Sequence, residues 1–192
     1  MFEPWKGNHY CATRLLLLGE SCYSWEKNGQ HKDPTQNHSI DIIEGVIYNF
    51  AGGSHFSKCL SRALCAEHDP SPKRLEYCWD RVAFTNYVPI ALSGVNDRPK
   101  PEMWQQAKQE FSQVLNLLEP KRIIVFGRTM WANMPDNTVD CFDREGDVQT
   151  YRLSSGELCY CRAVDHPRAG LGWQTLAGII HFACGDAFTE PK

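Results

Sequence analysis

The apolar positions of this chain fall into runs of two alternating kinds. Leu15-Leu16-Leu17-Leu18 is apolar at every position, the pattern of a short strand covered on both faces. Arg81-Val82-Ala83-Phe84-Thr85-Asn86-Tyr87-Val88 reads as a second strand by its β-branched and aromatic content. Ile123-Ile124-Val125-Phe126-Gly127 is a third, running apolar into glycine, and Leu158 to Val164 is a fourth, ending at Asp165-His166-Pro167-Arg168. Between these runs the period changes to that of a helix. Ser39 is placed to cap a helix with apolar positions at Ile42, Ile43, Val46, Ile47 and Phe50. Ala51-Gly52-Gly53-Ser54 breaks it, and a second helix runs to about Cys65. Trp104, Ala107, Phe111, Val114, Leu115 and Leu118 form one stripe of a further helix, with Pro101 suited to its first turn and Glu119-Pro120 at its end. Trp173, Leu176, Ile179, Ile180 and Ala183 share a face of a last helix that Gly185 can close.

Polar, turn-forming segments separate these elements. Residues 26–38 read as an exposed loop or insertion, 66–74 as a connector, 96–101 as a turn, and 135–156 as a polar stretch with a hairpin signal at Ser154-Ser155-Gly156. The alternation predicts an α/β fold: a three-layer α/β/α arrangement around a central, mainly parallel four-stranded sheet. No internal repeat, low-complexity tract or boundary divides the chain, so residues 1–192 are expected to form a single domain, and that length suffices for a substantial core.

Composition adds exclusions. With 42% hydrophobic and 22% charged residues the chain is of ordinary globular type. No run approaches membrane-spanning length and the N-terminus lacks a signal pattern, so a cytoplasmic protein without a membrane partner is expected. The nine cysteines are odd in number and include no CxxC, which argues against a zinc or iron–sulfur site. They read as reduced, mostly buried thiols, with Cys159 and Cys161 on one face of a strand; neither metal nor cofactor is expected. A net charge of −3 argues against a protein that coats nucleic acid, while leaving room for one that grips a few phosphates. Lys58, Arg62, Lys73 and Arg74 are one basic group, read more simply as a solvated surface, and Arg168 is a separate candidate.

Candidate chemistry lies where strands end. Parallel strands finish on one edge of a sheet, and ligands of open α/β sheets bind there. Gly19-Glu20-Ser21-Cys22-Tyr23, Asn86 and His166 each follow such an end, bringing a carboxylate, a carboxamide and an imidazole to one edge. Each has a plain alternative: a helix-capping loop with a solvated Glu20, a turn-capping Asn86, a structural His166-Pro167 loop.

The order and spacing of these segments resemble the uracil-DNA glycosylase superfamily. Gly19 to Tyr23 is similar to its first motif, which carries the water-activating residue and, in some branches, a tyrosine beside the base. Phe84-Thr85-Asn86-Tyr87-Val88 with Asn96-Asp97-Arg98-Pro99 is similar to the central motif with its base-reading asparagine. Lys121 to Gly127 resembles the next strand, and His166-Pro167-Arg168-Ala169-Gly170-Leu171 the His-Pro loop that enters DNA. The likeness spans residues 14–183. It implies a glycosylase-like fold and a monomeric, monofunctional DNA glycosylase acting on a flipped-out pyrimidine, either uracil or a modified or hypermodified cytosine of the kind found in phage DNA.

On this resemblance Glu20 activates water, with Asp165 a weaker candidate, and His166 donates to the leaving base. Asn86 reads the base edge, Tyr23 walls its C5 side, and Phe50 or Phe56 stacks on it, although either is more ordinarily a core aromatic. Ser21, Arg168, Gly170 and Leu171 contact DNA, with Leu171 or Arg168 filling the vacated stack. The chain departs from the pattern in three places. No proline follows the catalytic position, Ser21 stands where several branches carry Asp or Asn, and the cysteines of the glutamate-bearing iron–sulfur branch are missing. The alternatives are a non-catalytic DNA- or nucleotide-binding module on the same fold, and a nucleotide or sugar hydrolase.

Overall fold

The computed structural model describes residues 2–27, 30–94, 96–136 and 147–189. Its strands are β1 (Trp5–Lys6), β2 (Leu15–Gly19), β3 (Trp25–Lys27), β4 (Gln30–Lys32), β5 (Val82–Asn86), β6 (Arg122–Phe126), β7 (Val148–Arg152) and β8 (Leu158–Val164). Its α-helices are α1 (His38–Tyr48), α2 (His55–Cys65), α3 (Pro72–Trp79), α4 (Pro101–Leu118), α5 (Arg128–Ala132) and α6 (Trp173–Cys184). One mixed sheet of six strands has the order β1-β5-β2-β6-β8-β7. The inner four, β5, β2, β6 and β8, are parallel. β1 and β7 close the edges antiparallel.

The all-leucine run is explained by its place. β2 lies between β5 and β6, and Leu15 to Leu18 are fully buried. Leu16 and Leu18 face a core shared with Trp104, Phe111 and Leu118 of α4, while Leu15 and Leu17 face Ile43 of α1, Leu60 of α2, Leu75 of α3 and Ile180 of α6. Helices therefore cover both faces, and each leucine buried this way contributes about 1.5–3 kcal/mol. Cys159 and Cys161 sit together in the α4-side core, and Cys22, Cys59, Cys65 and Cys78 are also buried free thiols. Cys141 lies outside the described residues. Among the described residues no helix is long and apolar enough to cross a membrane.

The structure corrects the expected layout in several places. The sheet has six strands where four were expected, because the edge strands lack an apolar run. β1 has two residues, and β7 falls in the polar 135–156 stretch, of which 137–146 lie outside the described residues. The turn signal at Ser154-Ser155-Gly156 does join β7 to β8, with Leu153 N–H donating to the Glu157 carbonyl. Segment 26–38 is not simply a loop: β3 and β4 pair antiparallel there, while residues 28–29 lie outside the described residues. α3 begins inside the expected 66–74 connector, where the Ser71 hydroxyl accepts from Arg74 N–H and Pro72 opens the first turn. α1 starts at His38, so Ser39 lies within it, buried, rather than capping it.

Trp79 ties α3 to this frame. Its indole N–H donates to Ser61 Oγ of α2 at 3.0 Å, and its carbonyl accepts from the Trp5 indole of β1 at 3.0 Å. Trp79→Phe removes the only hydrogen bond the Trp79 ring makes and strands a buried hydroxyl, so it is expected to lower unfolding free energy by about 1–3 kcal/mol. Urea denaturation checks this; the midpoint should fall with the slope unchanged.

Candidate active site

The carboxyl ends of the four parallel strands open onto a cavity of about 720 Å³. Glu20, Ser21 and Tyr23 reach it from the loop after β2, Asn86 from the end of β5, Arg128 from beyond β6, and Asp165, His166 and Arg168 from beyond β8. The first of these loops is held as a continuation of the sheet. Gly19 and Glu20 carbonyls accept from Tyr87 and Val88 N–H at 2.8 and 2.9 Å, and Cys22 and Ser24 exchange backbone hydrogen bonds with Leu92. Glu20 is thus delivered from backbone fixed on both sides.

Gly19 and Asn86 are direct register partners. A Cβ on Gly19 would stand 2.5 Å from Asn86 Oδ1 and 3.5 Å from the Phe84 ring, so the carboxamide occupies the space a side chain would need. Asn86 is 7% exposed, yet among the described residues its carboxamide has no hydrogen-bond partner. The carboxamide is not among the fully buried unpartnered groups, so what remains accessible of this mostly buried residue lies on the cavity wall, open to a ligand or water. The Ser21 hydroxyl, also on the cavity wall, is buried and without a partner.

His166 begins a short 3₁₀ turn, and its Nδ1 accepts the Arg168 backbone N–H at 3.1 Å. The neutral ring therefore carries its proton on Nε2, and an imidazolium would set two donors against each other at Nδ1. The Phe56 ring of α2 stacks on the imidazole, with centroids 5.1 Å apart and planes 12° apart. Burial lowers the His166 pKa, and the cations of Arg168 and Arg98 and the nearby His55 push it the same way. Glu20 is moved oppositely: burial raises its carboxyl pKa, and Arg98 draws it back down.

The cavity's other carboxylate is committed. Arg128 Nε donates to Asp165 at 2.9 Å, and its Nη1 bonds Asp147. Glu20 is the carboxylate that remains without a hydrogen bond or ion pair among the described residues. Among those residues no group of three or more His, Cys, Asp or Glu side chains is placed to hold a metal ion.

Two expected contacts are not brought here. Phe50 sits in a 3₁₀ turn before α2, off the cavity, with the Arg62 guanidinium 5.6 Å from its ring centroid. Phe56, the other aromatic candidate, lines the cavity. Leu171 is partly buried against the α2- and α6-side core, and its carbonyl lies 3.7 Å from Cys59 Sγ. The exposed tip of that loop is Arg168 to Gly170, with Gly170 in the left-handed region at φ 100°. In the basic group at 58–74, Arg62 and Arg74 are structural: they donate to the carbonyls of His68 and of Phe188 and Cys65. Arg98, Arg128 and His38 also line the cavity and had no role assigned from sequence. A lone arginine in a turn carries no periodic signal.

The chain matches no protein-family model and no curated protein. The functional reading consequently rests on the site itself.

Gly19→Ala should destabilise the protein by about 1–3 kcal/mol through overpacking against the carboxamide. In an Asn86→Ala background the same change should be markedly milder, which a double-mutant cycle in urea measures. His166 should titrate below the ordinary histidine value of ~6.5 by NMR. Because the native state favours the neutral ring, its stabilising contribution is complete above that value and is lost as pH falls from there through the lower folded-state value. The stability advantage of wild type over His166→Gln should therefore shrink on acidification.

Proposed function

We propose that this protein is a DNA glycosylase that hydrolyses the N-glycosidic bond of a flipped-out pyrimidine and leaves an abasic site. The observation that carries the reading is an Asn86 carboxamide without a hydrogen bond among the described residues, in one cavity with an uncommitted Glu20 and a His166 whose free donor is Nε2–H. The four inner parallel strands with helices on both faces fit the uracil-DNA glycosylase-like architecture that the motifs imply. The base is uracil or a modified or hypermodified cytosine, and the same chemistry serves repair or defence against phage.

Each group has a task set by its charge. The base leaves the stack at a cost of a few kcal/mol. Asn86 offers a donor and an acceptor to its Watson–Crick edge. As the bond breaks, negative charge grows on the base and positive charge on the sugar. His166 Nε2–H donates to the base oxygen, and such a preorganised donor is worth about 3–4 kcal/mol. Ionised Glu20 orients the attacking water, takes its proton and stabilises the sugar cation. Tyr23 also lines the cavity, where this reading has it wall the C5 side of the base.

The test is release of free base from duplexes carrying uracil, modified cytosine or glucosylated phage cytosine, with the released base identified by mass. Glu20→Gln should slow release by about 10²–10⁴ and His166→Gln by about 10²–10³. Base release at unchanged rates in both variants would remove the assignment. Duplex binding without release would leave a binding module, and cleavage of free nucleosides but not DNA a nucleoside hydrolase. Release should also fall on the acid side, since both Glu20 ionisation and a neutral His166 are lost as pH drops. The raised Glu20 pKa moves that loss to higher pH than an exposed glutamate would give.

A further inference from the structure

Three arginines line the cavity, and they differ in what holds them. Arg128 is neutralised by Asp147 and Asp165. Arg98 and Arg168 have no side-chain hydrogen bond or ion pair among the described residues. Arg98 belongs to the connection from β5 to α4, downstream of Asn86, and is exposed. It is followed by buried Pro99, and Pro101 opens α4, so its backbone is stiffened on the C-terminal side. It lines the same cavity as Glu20 and His166, and its charge acts on both without an ion pair to either among the described residues.

An uncommitted guanidinium at this place answers a physical problem. A DNA strand must bring its phosphates up to a cavity lined by the carboxyl groups of Glu20 and Asp165, on a protein whose net charge is −3. Without a local cation the approach is repulsive. A guanidinium matches a phosphate with a fork of parallel donors, and here no carboxylate competes for it.

We propose that Arg98 is a phosphate ligand, gripping a backbone phosphodiester next to the extruded nucleotide while Asn86 holds its base. The proposal rests on the substrate being DNA and adds how the strand is held: from the β5–α4 connection as well as from the His166–Gly170 loop. It also separates Arg98 from the basic group at 58–74, whose arginines are engaged within the protein.

The experiment is fluorescence anisotropy of the full chain with a duplex carrying a stable abasic analogue, over a series of salt concentrations. Arg98→Ala should weaken binding and reduce the slope of log K against log salt by about 0.9, the release of one phosphate contact. Arg98→Lys should keep most of the slope, and Lys73→Ala, an exposed cation of the 58–74 group, should keep all of it. Replacing a single phosphodiester beside the abasic analogue with a neutral methylphosphonate, on either side in turn, should weaken wild type at one of the two positions and leave Arg98→Ala indifferent there. An unchanged slope in Arg98→Ala, or an equal loss in Lys73→Ala, overturns the proposal while leaving the glycosylase reading standing. Failure of wild type to bind any DNA removes both.

Discussion

The parallel pairing of β2 with β5 on one side and β6 on the other is the constraint on which the rest of the molecule depends. It buries every leucine of Leu15–Leu18 and so orients both helical layers. It also sends the carboxyl ends of four strands to one edge, so that residues far apart in sequence face one cavity. The Gly19–Asn86 register pair belongs to the same ladder: a shift of one residue would set the carboxamide against Leu18 and turn each β2 side chain to the wrong core. Core packing and site geometry are therefore properties of one hydrogen-bond register.

Within the cavity, charge is divided by partner. Asp165 and Arg128 satisfy each other and, with Asp147, strap the ends of β6 and β8 to the start of β7. They are half exposed, so the strap contributes little stability; what it does is remove one carboxylate and one cation from the chemistry. Among the described residues the side chains of Glu20, Asn86 and Arg98 make no hydrogen bond or ion pair, and the Ser21 hydroxyl is buried without a partner. Concentrating unsatisfied groups in one place is unfavourable for folding and is the usual mark of a site whose partners arrive with a ligand.

How much was legible in the sequence follows from the kind of signal each element carries. The inner strands and the α4 stripe were readable because burial on one or both faces writes a run or a 3.6-residue period. Edge strands β1 and β7 and the short α5 bury too little to do so. The convergence of Glu20, Asn86 and His166 followed from strand ends alone. What each aromatic touches did not: Phe50 and Phe56 lie six residues apart with similar surroundings in sequence, yet only Phe56 faces the cavity and covers His166. Nor did the sequence show that Leu171, at a loop end, is partly buried against the core beside α2 and α6.

The proposed hydrolysis would need protonation states opposite in kind, an ionised acid beside a neutral base. Burial alone would yield only half of that pair, because it favours the neutral form of both groups. A cation shared between them corrects this asymmetrically: it favours Glu20 as the anion and disfavours His166 as the imidazolium. Arg98 is that cation. The Arg168 N–H donating to Nδ1 adds to the same outcome from the histidine side, by making protonation there cost a hydrogen bond. In a site assembled from half-buried groups, one cation thus favours the carboxylate form of one neighbour and the neutral imidazole of the other.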